Sequence, residues 1–168
     1  SGSSRGLGDV YKRQMLDNVL QYFIDNAPDT VSRAKYSAKR ERSIGIGALG
    51  FHAYLQKKNI PWESATAKGT NLRMFKLIRS KLDDANLELG KTRGEAPDAA
   101  GTGRRFSHVM AVAPNASSSI IMGNTSPSIE PFRANAYRQD TLSGAYFNKN
   151  KYLDSLIPVS YTHLRAHE

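Results

Sequence analysis

The stretch Pro114-Asn115-Ala116-Ser117-Ser118-Ser119-Ile120-Ile121-Met122-Gly123-Asn124 follows directly on a short apolar run, Val109 to Ala113. A buried strand leading into small polar residues and then apolar ones describes a helix N-terminus presented at the carboxyl edge of a sheet. The chemistry open to such a place is anion binding. The free N–H groups of the first helical turn point outward with the positive end of the helix dipole, and small side chains let a phosphate approach them. Ser117, Ser118 and Ser119 add hydroxyl donors, and Asn115 can cap the helix or donate its amide. The pattern alone also fits an ordinary capped helix, because serine and asparagine are favoured caps. The lysine of a Walker-type loop is absent, which argues against an ordinary nucleoside triphosphatase.

Other chemistries are narrowed by composition. The chain has no cysteine, so disulfides, thiolate metal sites and thiol catalysis are excluded within it. His52 and His108 lack metal-ligand spacing and read as packing or surface residues. Glu130 lies past the serine-rich helix start and reads as a structural carboxylate. Tyr137, Tyr146 and Tyr152 are isolated from one another and read as packing aromatics. The net charge is +9, densest at Arg33, Lys35, Lys39, Arg40 and Arg42 around Tyr36. That density admits a nucleic-acid-binding module as a competing reading. Single-strand binders, however, interleave several aromatics with the charge, and here one tyrosine and the opposing Glu41 favour a solvated segment. No run approaches the ~20 apolar residues of a membrane helix, so a cytoplasmic protein is expected.

The elements that must position the serines follow from periodicity. Leu16, Val19, Leu20, Phe23, Ile24 and Ala27 recur at helical steps and predict an amphipathic helix from Met15 that Pro28 stops. The charged stretch to Arg42 has no apolar face and reads as a connection. Ser43 to Leu49 reads as a buried strand turning into a helix that runs from Leu49 through Leu55. After a turn at Ile60 to Ser64, Leu72, Phe75, Ile78, Leu82, Ala85 and Leu89 predict a long helix from Ala65, capped by Ser64 and ended by Gly90 or Gly94. Glu95 to Arg105 reads as a loop, and Val109 to Ala113 as a strand buried on both faces, as in parallel sheets. The order of elements predicts an α/β architecture.

Ser1 to Gln14 and Pro158 to Glu168 show no periodicity and resemble translated adapter or vector sequence, so both are expected to be foreign to the segment from Met15 to Ile157. Without Arg5, Asp9, Lys12, Arg13, Arg165 and Glu168 the charge is 9 − 2 − 0 = +7, so the basic character persists.

The run from His108 to Asp154 carries, in order, Pro114-x-Ala116-Ser117-Ser118, Gly123-Asn124, Ser128-Ile129-Glu130-Pro131, Asn135-x-Tyr137 and Leu142-Ser143-Gly144. Upstream stand Arg42-x-Ile44-Gly45-Ile46-Gly47 and a helix ending near Lys91-x-x-Gly94. This ordered set resembles the large, catalytic subunits of ribonucleotide reductases from about Met15 to Leu156. The resemblance implies a partial segment of that family's ten-stranded α/β barrel. It also implies that Asn115, Ala116, Ser117 and Ser118 cradle the diphosphate of a ribonucleotide substrate. Pro114 would start that loop, Ser119 would stand in the helix's first turn, and Arg104, Arg105 and Arg133 could enrich the positive potential. The family's radical-carrying cysteine, its reducing cysteine pair and its paired tyrosines have no counterparts here, so no catalytic or metal-binding residue is expected in this chain. A complete enzyme would need a small radical-generating subunit with a dinuclear metal centre, and a thioredoxin- or glutaredoxin-like reductant. Its nucleotide effectors would act largely on earlier segments. Ser-Ile-Glu-Pro and Leu-Ser-Gly favour the two-subunit, class I form over the cobalamin-dependent form.

Overall fold

The computed structural model describes residues 3 to 155. In chain order it comprises α1 (Ser3–Asn26), a 3-10 turn (Asp29–Val31), α2 (Ser32–Glu41), α3 (Phe51–Lys57), α4 (Ala65–Arg93), a 3-10 turn (Pro97–Ala99), α5 (Ala116–Ile121), β1 (Ala136–Thr141), β2 (Gly144–Lys149) and α6 (Lys151–Asp154). The chain divides into two compact units, Ser1–Gly47 with Thr70–Val112, and Ala48–Gly69 with Ala113–Glu168.

The first unit is built on α1 and most of α4. Ile24 is buried and Leu16 packs on the core, but Val19 and Phe23 of the expected stripe are exposed. The helix starts at Ser3, well before the expected Met15. Its end agrees with Pro28, which disfavours helical backbone in the residue before it. The core joins Leu82 and Leu89 of α4 to Ile44, Phe106 and Val109, with Ile46, Ile78 and Met110 packed against them. Only the carboxyl half of the α4 stripe is deeply buried, whereas Leu72 is exposed. Gly90 lies inside the helix, where only glycine allows the close approach of the Gly103 carbonyl oxygen, 1.9 Å from where a Cβ would sit, and Gly94, at φ 84°, ends the helix.

Two expectations in this unit are corrected. The stretch before Arg42 is a helix, α2, and not a connection. None of its residues is buried, so no apolar stripe marks it, and the helix propensity of its alanines, lysines, arginines and glutamate is the local signal that favours it. Val109 to Ala113 is not a regular strand buried on both faces. A single parallel bridge joins Met110 to Ile46, Val109 is buried, and Ala111 to Ala113 are exposed. A parallel strand is buried on both faces only when other elements flank it. Here the extended segment has one partner among the described residues, held by Ile44 N–H to the His108 carbonyl (3.0 Å), Ile46 N–H to Val109 (3.1 Å) and Ala111 N–H to Ile46 (3.3 Å). The two apolar segments do lie side by side in parallel, as the α/β reading requires.

In the second unit α3 begins at Phe51 and not at Leu49, and buries Phe51, Ala53 and Leu55. Ser64 accepts the Ala67 N–H at 3.1 Å, the expected cap of α4. No residue periodicity marks the antiparallel hairpin, in which Ala136 pairs with Lys149 through to Thr141 with Gly144. Tyr146, expected to pack, is exposed on β2. The expectation for residues 158 to 168 falls outside the described residues.

Candidate functional site

The serine-rich segment forms the predicted helix start. Ala113 and Pro114 are exposed, Asn115 stands at the N-cap, and α5 runs six residues. Ser119 N–H donates to the Asn115 carbonyl at 2.8 Å, the first helical bond. The amides of Ala116, Ser117 and Ser118 therefore precede the helical ladder and have no acceptor among the described residues. Ser117 and Ser118 are exposed, and their hydroxyls have no partner among the described residues either. This leaves three amides and two hydroxyls at the positive end of one short helix.

The remaining candidates take other roles in the structure. Ser119 is buried, and its hydroxyl donates back to the Ala116 carbonyl at 2.7 Å, so it braces the turn from inside. Asn115 makes no side-chain cap; its amide donates to the Ala113 carbonyl at 3.0 Å and fixes the bend into the helix. Arg105 is committed in the first unit to Asp17 and to the Arg93 carbonyl. Arg104 is half-buried in the same unit, and Arg133 and Glu130 are exposed in the second.

Behind α5 the chain turns through two left-handed residues, Gly123 (φ 79°) and Asn124 (φ 54°). Thr125 N–H then returns to the Ser119 carbonyl at 3.0 Å. The following segment closes the start of α3. Gly50 N–H donates to the Ser126 carbonyl (2.8 Å), Ala53 N–H to Ser126 Oγ (3.0 Å) and Phe51 N–H to the Ser128 carbonyl (3.4 Å). The Ser-Ile-Glu-Pro signature thus starts on a residue that closes the start of another helix. Asn150 similarly donates its N–H to the Asn135 carbonyl and caps α6. His52, half-buried, accepts the Phe132 N–H on Nδ1 at 3.2 Å and packs edge-on to Trp62 and Phe132. Burial pushes its pKa below the ordinary histidine value.

One polar centre was not anticipated from sequence. Asp17, 1% exposed, receives Arg42 at 2.6 Å, Arg93 at 2.8 Å and Arg105 at 3.1 Å. Burial raises its pKa, but hydrogen bonds from the three guanidinium groups outweigh this and hold the carboxyl below the usual aspartate value. Arg40, also in the basic stretch, pairs with Asp98. Two of the five cations in that stretch are therefore spent on intramolecular pairs. Among the described residues no group of three or more histidine, aspartate or glutamate side chains is placed to hold a metal ion, and no helix is long and apolar enough to cross a membrane.

A parallel pairing of apolar segments among helices is the element pattern of a partial α/β barrel. The model of the ribonucleotide reductase barrel domain matches residues 10–101 and 96–167. The ribonucleoside-diphosphate reductase large subunit of Invertebrate iridescent virus 3 is 65% identical over 142 residues, covering 84% of this chain and 22% of the relative. That of Invertebrate iridescent virus 6 is 64% identical over 144 residues, covering 86% and 15%. Among solved structures, the Actinobacillus ureae class Id ribonucleotide reductase alpha subunit superposes with a TM-score of 0.74 at 39% identity, covering 83% of this chain and 25% of that one. The chain belongs to the ribonucleotide reductase barrel-domain family and forms part of that α/β barrel. It spans between 15% and 22% of the length of these two viral relatives.

Proposed function

We propose that this chain is the substrate-phosphate-binding segment of a class I ribonucleoside-diphosphate reductase large subunit, which reduces ribonucleoside diphosphates to their deoxy forms. The observation that carries the reading is the open start of α5, with three amides that have no acceptor among the described residues and the exposed hydroxyls of Ser117 and Ser118. Two phosphate groups present several anionic oxygens. Backbone amides at a helix N-terminus meet them with fixed partial positive charge, and the serine hydroxyls supply movable donors. Pro114 starts the loop, Asn115 sets its bend and Ser119 braces it from within.

The segment's part in the reaction is to bind and orient. The hydrogen-abstracting and reducing thiols belong to other parts of the protein, since this chain has no cysteine. A small subunit that generates the radical at a dinuclear metal centre and a thioredoxin- or glutaredoxin-like dithiol are the proposed partners, in the cytoplasm. The 168-residue chain alone is expected to show no turnover.

The test is Ser117→Ala with Ser118→Ala in the complete reductase. Each lost charge-assisted hydrogen bond costs about 1.5–3 kcal/mol, so with two lost KM for the diphosphate substrate should rise by at least about a hundredfold. An unchanged KM would remove the assigned role.

A further inference from the structure

The exit of α5 turns through Gly123 and Asn124, both at positive φ. Asparagine adopts this left-handed conformation more readily than other side-chain-bearing residues, at a small cost that a fixed partner can offset. Two side chains from the hairpin end of the unit reach this point. Tyr137, on β1, donates its hydroxyl to Asn124 Oδ1 at 3.1 Å, and Lys151, at the start of α6, donates its ammonium to the Gly123 carbonyl at 3.3 Å. Both are anchored independently of α5: Tyr137 is paired with Asn148 across the hairpin, and Lys151 follows Asn150, which is tied to Asn135. The cavity behind the exit, lined in part by Asn124, Phe132, Tyr137 and Lys149, holds about 40 Å³. That is room for a water molecule and not for a nucleotide, so this side of the helix serves to support and not to bind.

We infer that Tyr137 is a positioning residue: by holding Asn124 in its left-handed conformation it fixes α5, and with it the amides of Ala116, Ser117 and Ser118 that meet the diphosphate. This rests on the phosphate-binding role proposed above. Asn124 N–H donates to the Ile120 carbonyl and Thr125 N–H to Ser119, so the left-handed residue and its neighbour are both bonded directly into the helix. Loss of the tyrosine hydroxyl frees Asn124 to relax, and the first turn moves with the helix. Binding weakens while the reacting groups, supplied elsewhere, stay as they were.

The experiment uses the complete reductase with its radical-generating partner and a dithiol reductant, comparing wild type, Tyr137→Phe, Asn124→Gly and the pair, with Ser117→Ala/Ser118→Ala alongside. Tyr137→Phe should raise KM for the diphosphate substrate about threefold to tenfold, the range of one lost hydrogen bond, with kcat little changed. Asn124→Gly accepts the positive φ but removes the acceptor, so it should raise KM similarly, and the double variant no further. KM unchanged in Tyr137→Phe, or effects that simply multiply in the pair, would overturn the positioning role. If the serine variant leaves KM unchanged, the phosphate-binding reading itself has failed. If it raises KM while Tyr137→Phe does not, only the positioning role has.

Discussion

Two helix starts in the second unit, those of α3 and α5, end in opposite conditions. At α3 the amides of Phe51 and Ala53 are taken by the Ser128 carbonyl and by Ser126 Oγ, and Gly50 N–H by the Ser126 carbonyl. At α5 the amides of Ala116, Ser117 and Ser118 have no acceptor among the described residues. An N-terminus closed by its own chain contributes stability; one left open can serve a ligand. In the first unit the buried carboxylate is likewise satisfied within the chain, with Asp17 held by three arginines.

Four variants and a pH series sharpen that contrast. The largest effect on folding should come from Asp17→Ala in the complete subunit. It would leave three guanidinium groups, one of them buried, around a missing charge, at a cost of about 3 kcal/mol in denaturant-measured stability. Substrate KM of the folded fraction should not move. Ser117→Ala alone should cost about 2 kcal/mol in diphosphate binding, visible as a rise in KM of about thirtyfold, and leave the melting temperature within a degree or two. Ser126→Ala should do the reverse. It should lose about 1 kcal/mol of stability through the uncapped Ala53 N–H, read by thermal melting, with KM intact. If Ser126→Ala raised KM as much as Ser117→Ala, the contrast between closed and open starts would fail.

The smallest effect is on acid stability. Asp17 titrates lower when folded than when unfolded, so its stabilising contribution is complete above the ordinary aspartate pKa of ~3.9 and is lost as pH falls through the depressed folded value. His52 is also depressed: its neutral ring accepts the Phe132 N–H, and that contribution is present above about 6.5 and fades as pH falls through the lower folded value. Melting temperature should therefore decline first modestly below pH ~6.5 and again below pH ~4. His52→Gln should remove the first decline and keep the second.

Much of this was legible in the chain. The α4 periodicity, the Ser64 cap and the small polar residues after Val109 to Ala113 are local signals, and each produced the element or cap expected of it. What escaped was either solvated on all sides or non-local. α2 buries nothing, and the hairpin strands are mostly exposed, so neither has an alternation to read. Asp17 meets its arginines across 25, 76 and 88 residues, separations at which no spacing rule operates. Tyr137 was legible as an aromatic but not as a donor to Asn124, because the register that brings them together is set by the unread hairpin.

The most direct test of the open start at α5 is equilibrium binding of a ribonucleoside diphosphate and of the matching unphosphorylated ribonucleoside to the complete large subunit, wild type and Ser117→Ala/Ser118→Ala. The account predicts that wild type strongly prefers the diphosphate and that the double variant loses most of that preference while binding the ribonucleoside as before. A double variant that keeps the full preference would contradict it.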